Sequence, residues 1–260
     1  MDLSVLFVFI LSVLLGVLRC ADLALGTDAV TGLCVAGSVW WRYLALGIVV
    51  LAAVLAGRKA AAKAEAVRSR LPLAGVLAFA GAVLYLAAGA AQVAFGGASA
   101  AGGAVRVVLD CLCAVWLSTL GRCWLSSRGW DKPTGGLYLA VAGSLLFYWN
   151  VLMRFMENSS SWHRVQPTAA VWQALAALVF LAALARALYL PQPGNRQTLC
   201  AAALTAFALC LCWQLPQSIL LLAAQGFSLT ALPELLAGLG LCCIGGMGAV
   251  CVVVCTDGQS

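Results

Sequence analysis

Residues 73–95 read LAGVLAFAGAVLYLAAGAAQVAF, 23 consecutive positions without a charged side chain. An α-helix of that length extends roughly 35 Å at about 1.5 Å per residue, more than the ~30 Å hydrocarbon core of a bilayer. A helix on a soluble core would show a polar stripe, and this one shows none. The stretch reads as a membrane span, and working outward from it finds similar runs at 3–18, 43–57, 104–120, 136–151, 169–190, 198–224 and 232–254. The expected fold is an all-α polytopic integral membrane helix bundle of about 8 transmembrane helices, forming a single transmembrane domain over 1–260. At 64% hydrophobic and 9% charged, the chain has too little polar surface for a soluble globule.

Three of the runs, 3–18, 43–57 and 136–151, hold only 15 or 16 residues. That is short of the roughly 20 a spanning helix needs, so they must draw in flanking aromatic residues or sit in thinned bilayer. A seven-span reading stays open at the first run, which a signal sequence could mimic. Asp2 and the absence of Lys or Arg ahead of that run, with no small-residue cleavage pattern after it, favour its retention as a helix. Arg19 directly before Cys20 is too large and charged for lipid attachment there.

Basic residues set the orientation, because Lys and Arg in short loops stay cytoplasmic. Arg58, Lys59, Lys63, Arg68 and Arg70 follow the second run, Arg122, Arg128 and Lys132 the fourth, and Arg186 and Arg196 the sixth. The opposite side receives Arg19, Arg42, Arg106, Arg154 and Arg164 together with Asp22, Asp28 and Glu157. Both termini are therefore expected in the cytoplasm, with the protein multi-pass in the cell membrane. This sorting accounts for the net charge of +6, so nucleic acid is not an expected partner. Trp40, Trp41, Tyr43, Tyr148, Trp149, Trp162 and Trp172 on one side, and Trp124, Trp130 and Tyr189 on the other, fit interfacial belts. The segment Arg58 to Arg70, RKAAAKAEAVRSR, is rich in helix formers and is read as a helical continuation lying on anionic headgroups, or as a dock for a cytoplasmic or membrane protein partner.

The chemistry-bearing motifs are few. Most of the twelve cysteines fall inside spans as small apolar residues, and the pairs Cys111/Cys113 and Cys210/Cys212 point about 200° apart on a helix, which disfavours a shared metal. Cys20 and Cys34 share an outer loop, where a disulfide is feasible. A single histidine, His163, leaves no His-based metal site or Ser–His pair, and no phosphate-cradling glycine motif precedes a helix. No metal, no cofactor and no catalytic residue is expected. The four-residue spacings Gly238/Cys242/Gly246 and Gly136/Ala140/Ser144 read as packing faces, and Asn158-Ser159-Ser160 matches a glycosylation tripeptide.

What remains is a set of polar residues in the outer half of the spans: Gln92, Asp110, Asn150, Gln173, Gln214, Gln217 and Glu234. Pro216, between the two glutamines of the seventh run, removes a backbone donor deep in a span and marks a helix kink. Asp110 lies an i, i+4 step from Arg106, which would neutralise it locally, and an intramembrane acid is otherwise a candidate proton or cation site. The candidate polar intramembrane site is accordingly Asp110, Arg106, Gln214, Gln217 and Gln173, with Pro216 as the kink. In the segment TDAVTG, Thr27 to Gly32, and in its short-looped layout, the chain resembles uncharacterised small polytopic membrane proteins of bacteria, a resemblance that implies a helix bundle and carries no residue role.

The leading functional expectation is a transport-related permease subunit binding a small solute from the outer face. A noncatalytic scaffold or regulator acting through helix packing is the alternative. A lipid-modifying enzyme lacks a clustered set of acids, bases or metal ligands. A polar outer cavity favours the first, and a filled bundle with a large apolar lateral face the second.

Overall fold

The computed structural model describes residues 2–27, 34–60, 64–95, 101–126, 133–156, 165–190, 192, 195–225, 229 and 231–257. Its elements are α1 (Leu3–Leu25), α2 (Val39–Lys59), a 3-10 turn (Ala64–Arg68), α3 (Pro72–Phe95), α4 (Ala101–Leu125), α5 (Gly136–Met156), α6 (Val165–Tyr189), α7 (Asn195–Ala206), a π-helical turn (Phe207–Trp213), α8 (Gln214–Gln225) and α9 (Leu232–Asp257). With α7, the π turn and α8 forming one continuous span, 8 helices are long and apolar enough to cross a membrane. The protein is a polytopic helical membrane bundle. An even number of crossings puts the start of α1 and the end of α9 on the same side.

The three runs that looked short are full-length helices: α1 has 23 residues, α2 has 21 and α5 has 21. Arg19 within α1, Arg42 in the first turn of α2 and Arg154 in the last turn of α5 bound the apolar runs by their charge without ending the helices. No thinning of the bilayer is needed. Conversely, the basic segment after α2 is not a helical continuation. The helix stops at Lys59, and Ala64–Arg68 tucks beneath the bundle with Val67 fully buried. There the Trp124 indole donates to the Val67 carbonyl at 3.0 Å, and the Arg68 guanidinium donates to the Ala187 carbonyl at 2.8 Å, capping the end of α6. Trp124 is therefore a core residue rather than part of a belt, whereas Trp40, Trp41 and Tyr148 do face outward.

Span seven is the most enclosed, with α2, α6, α9 and α1 around it. Small residues let its backbone be approached. A methyl group on Gly57 of α2 would lie 2.3 Å from the Ala201 Cα, and one on Gly245 of α9 would lie 2.6 Å from the Leu211 nitrogen. The α9 packing face expected at Gly238/Cys242/Gly246 thus extends to Gly245 and Gly248, both against span seven. In α5 the close contact is made by Gly143 on Trp116, while Gly136 has open space and φ +59 at the helix start, so the face runs through Ala140, Gly143 and Phe147 instead of Gly136 and Ser144. Cys111 is exposed and Cys113 buried, as a two-residue step on a helix requires.

Asn158, His163, Trp130, Trp162 and most of TDAVTG, together with Lys63, Arg128, Lys132, Arg164, Asp28 and Glu157, lie outside the described residues.

Candidate functional site

The polar set converges. At the side away from the ends of the chain, the last turns of α3 and α5, the first turns of α4, α8 and α9 and the N-terminal half of α6 surround a cavity of about 300 Å³. Gln92, Asn150, Gln173, Gln214, Gln217 and Glu234 line it, so six of the seven polar positions singled out in the sequence face one space. Arg106 and Arg154 add two guanidinium groups to its wall, and Tyr85, Phe147 and Leu241 add apolar surface. The Tyr85 and Phe147 rings meet edge to face with centroids 6.0 Å apart.

Asp110 is the exception. It is 1% exposed, does not line the cavity, and packs toward α3, where a methyl group on Gly89 would stand 3.5 Å from its Cβ. Its Oδ2 has no hydrogen-bond partner, and among the described residues Arg106 and Asp110 form no ion pair within 4.0 Å. The structure therefore brings Arg106, Gln173, Gln214 and Gln217 together and leaves Asp110 beside them, behind the wall.

Pro216 acts through the turn that precedes it. A proline in a helix lacks its N–H and crowds the carbonyl four residues back, here that of Cys212. The chain accommodates this with the π turn Phe207–Trp213, and Pro216 lies in the first turn of α8. A π turn disturbs the regular pairing of nearby carbonyls, and neighbouring helices engage them. The Gln173 side-chain amide donates to the Leu209 carbonyl at 3.1 Å and to Gln214 Oε1 at 2.8 Å. Gln214 Nε2 in turn donates to Ser218 Oγ at 3.3 Å, and the Cys210 thiol donates to the Gln173 carbonyl at 3.4 Å. Gly16 of α1 completes the collar: a methyl group there would lie 2.8 Å from the Cys212 carbonyl oxygen. Gln173 thus has a positioning role, tying the π turn to the cavity wall.

A second polar cluster escaped the sequence reading, which placed Arg19, Asp22 and Arg42 only as outer-side residues. Arg19 is 2% exposed, its guanidinium lies 4.5 Å from the Trp213 ring centroid, and its Nη1 donates to Asp22 Oδ2 at 2.5 Å. The other Asp22 oxygen accepts from Arg42, whose Nε lies 2.8 Å away. Arg42 also donates to the Gly26 carbonyl at 3.1 Å, to the Ala36 carbonyl at 3.2 Å and to the Cys34 sulfur. The one sequence signal was the i, i+3 spacing of Arg19 and Asp22. Cys20 and Cys34 are both free thiols, and burial pushes the Cys34 thiol up from its ordinary value while the Arg42 charge works against that shift. The cluster braces the α1–α2 loop and stacks α1 on the end of the π turn.

No protein-family model, no curated protein and no solved structure matches the chain.

Proposed function

We propose that this membrane protein is a transport-related permease subunit of the cell membrane, with both termini cytoplasmic and the α3–α6, α8, α9 cavity open to the outside, where it receives a small polar solute. The observation that carries the reading is the convergence of six polar residues from five helices on one cavity of about 300 Å³ next to a π-helical, proline-bearing span. Polar side chains in a bilayer are costly and usually face a bundle interior or water-filled space, and interrupted spans are where transporters present binding groups. A scaffold acting only by helix packing gains nothing from keeping such a space polar. Arg106, Gln214 and Gln217 bind the solute, Gln173 positions the wall, and energy, where it is needed, comes from a separate protein, since the chain has no nucleotide motif. No bond is made or broken in the solute.

The test is a solute screen on the purified full-length protein, reading its melting temperature, followed by uptake of any stabilising solute into proteoliposomes. At a concentration 100 times its Kd a bound solute stabilises by about 2.7 kcal/mol, which a melt resolves. A solute that stabilises and is taken up supports the reading. Binding without uptake places the protein among solute-regulated membrane proteins, and no stabilisation by any polar solute removes the solute site.

A further inference from the structure

Two ionic groups on the lining of the cavity make no ion pair within the protein among the described residues. Arg106, from α4, and Glu234, from the first turn of α9, both line it, and among the described residues neither makes an ion pair or side-chain hydrogen bond, with each other or with any third group. Arg154, the other guanidinium on the lining, is already engaged within the protein. Arg106 is half-buried and Glu234 exposed, and an unpaired cation and an unpaired anion facing one small space invite a ligand that meets both. Gln217 and Asn150, which also line the space without hydrogen-bond partners among the described residues, supply neutral donors and acceptors around them. The Tyr85 and Phe147 rings and Leu241 supply an apolar surface.

Resting on the solute-site reading above, we infer that the ligand is a small zwitterion of the amino-acid class, its carboxylate held by Arg106, its ammonium by Glu234, and its side chain directed to the Tyr85–Phe147 surface. Charge decides between ligand classes. A monoanion would satisfy Arg106 and leave Glu234 unpaired beside a second negative group. An amine would do the reverse, and an uncharged polyol would leave both ions unmatched. Only a molecule carrying both charges neutralises both walls. About 300 Å³ lies at the lower end of small-molecule sites and has room for a single amino acid. The planar guanidinium of Arg106 suits bidentate capture of a carboxylate.

Equilibrium binding to the purified full-length protein separates these classes. The probes are glycine, alanine, leucine and glutamine, each set beside its counterpart lacking the amino group and its counterpart lacking the carboxyl group, with glycerol as the uncharged control. The inference expects a neutral amino acid to bind at least about tenfold more tightly than either truncated counterpart, because each truncation forfeits one charge-assisted contact. Arg106→Gln should abolish binding and Arg106→Lys should retain part of it, which guards against a folding defect in the first variant. Glu234→Gln should bring the amino acid and its des-amino acid within about threefold of each other by removing the group that reads the ammonium. A des-amino acid, an amine or glycerol binding as tightly as the amino acids overturns the ligand class while the solute site stands. No binding of any probe to a cooperatively melting protein overturns this inference, and the solute site falls only if the wider screen also finds nothing.

Discussion

Replacing Gln173 with Leu keeps the size of a buried, 3% exposed side chain and deletes its amide. The loss can be worked from two bonds, to the Leu209 carbonyl at 3.1 Å and to Gln214 Oε1 at 2.8 Å. Interhelical side-chain hydrogen bonds in membranes average about 0.6 kcal/mol and reach about 1.7 kcal/mol. Leaving a buried acceptor unmet, here the Leu209 carbonyl within the π turn, costs about 1–3 kcal/mol. The Leu side chain returns part of this by apolar contact, so the net destabilisation is expected near 2 kcal/mol, a drop of roughly 4–8 °C in melting temperature. Because Gln173 and Gln214 share one bond, Gln173→Leu combined with Gln214→Leu should be less harmful than the sum of the two, by about 1 kcal/mol. The assay is thermal unfolding of the four proteins in one detergent. A Gln173→Leu protein as stable as the parent, or strictly additive effects, would refute the clamp on the π turn.

Gly57→Ala should destabilise by about 3 kcal/mol or more, since its new methyl would meet the Ala201 backbone at 2.3 Å, whereas Gly47→Ala, with nothing within 4 Å, should melt close to the parent. Asp22→Asn strands the buried Arg19 and should cost about 3–5 kcal/mol, while changing Arg19 and Asp22 together to Leu should cost less; a harmless Asp22→Asn in the same melts would remove the cluster from the stability account. The Cys34 thiol, raised by burial, should need a more alkaline medium than a free thiol to react with a maleimide. Arg42→Gln should raise that requirement further, because Arg42 is the group holding the shift in check, and stopped-flow labelling against pH reads both changes.

The bundle was legible because apolarity alone marked all eight spans, although three of the runs read short and reach spanning length only as helices. Its helix ends were not. A run of hydropathy stops at Arg19, Arg42 or Arg154, but the helix continues wherever the chain finds such a side chain a partner or a cavity, which is a tertiary fact. The polar cavity was largely legible, since alternating crossings bring Gln92, Asn150, Gln173, Gln214, Gln217 and Glu234 to one side of the bundle whatever the details of packing. The place of Asp110 behind the wall was not legible, because its i, i+4 spacing from Arg106 puts both on one side of α4 without giving the rotation of that helix, which packs closely on Gly89 of α3. Pro216 announced a disturbance in span seven. That it takes the form of a π turn collared by Gly16, Gln173 and Gly245 depends on residues more than 28 positions away in sequence, beyond the reach of any local pattern.

The most direct measurement is the accessibility of Gln217→Cys, in a protein with Cys20 and Cys34 changed to Ser, to an impermeant maleimide applied in turn from each side of the membrane. Gln217 lines the cavity in the turn that carries Pro216, so its thiol samples the space itself. The account predicts rapid labelling from the side opposite the chain's ends, slow or absent labelling from the other, and protection by any solute that stabilises the protein. Labelling from neither side, or from the side of the chain's ends alone, would contradict a polar cavity open to the outside.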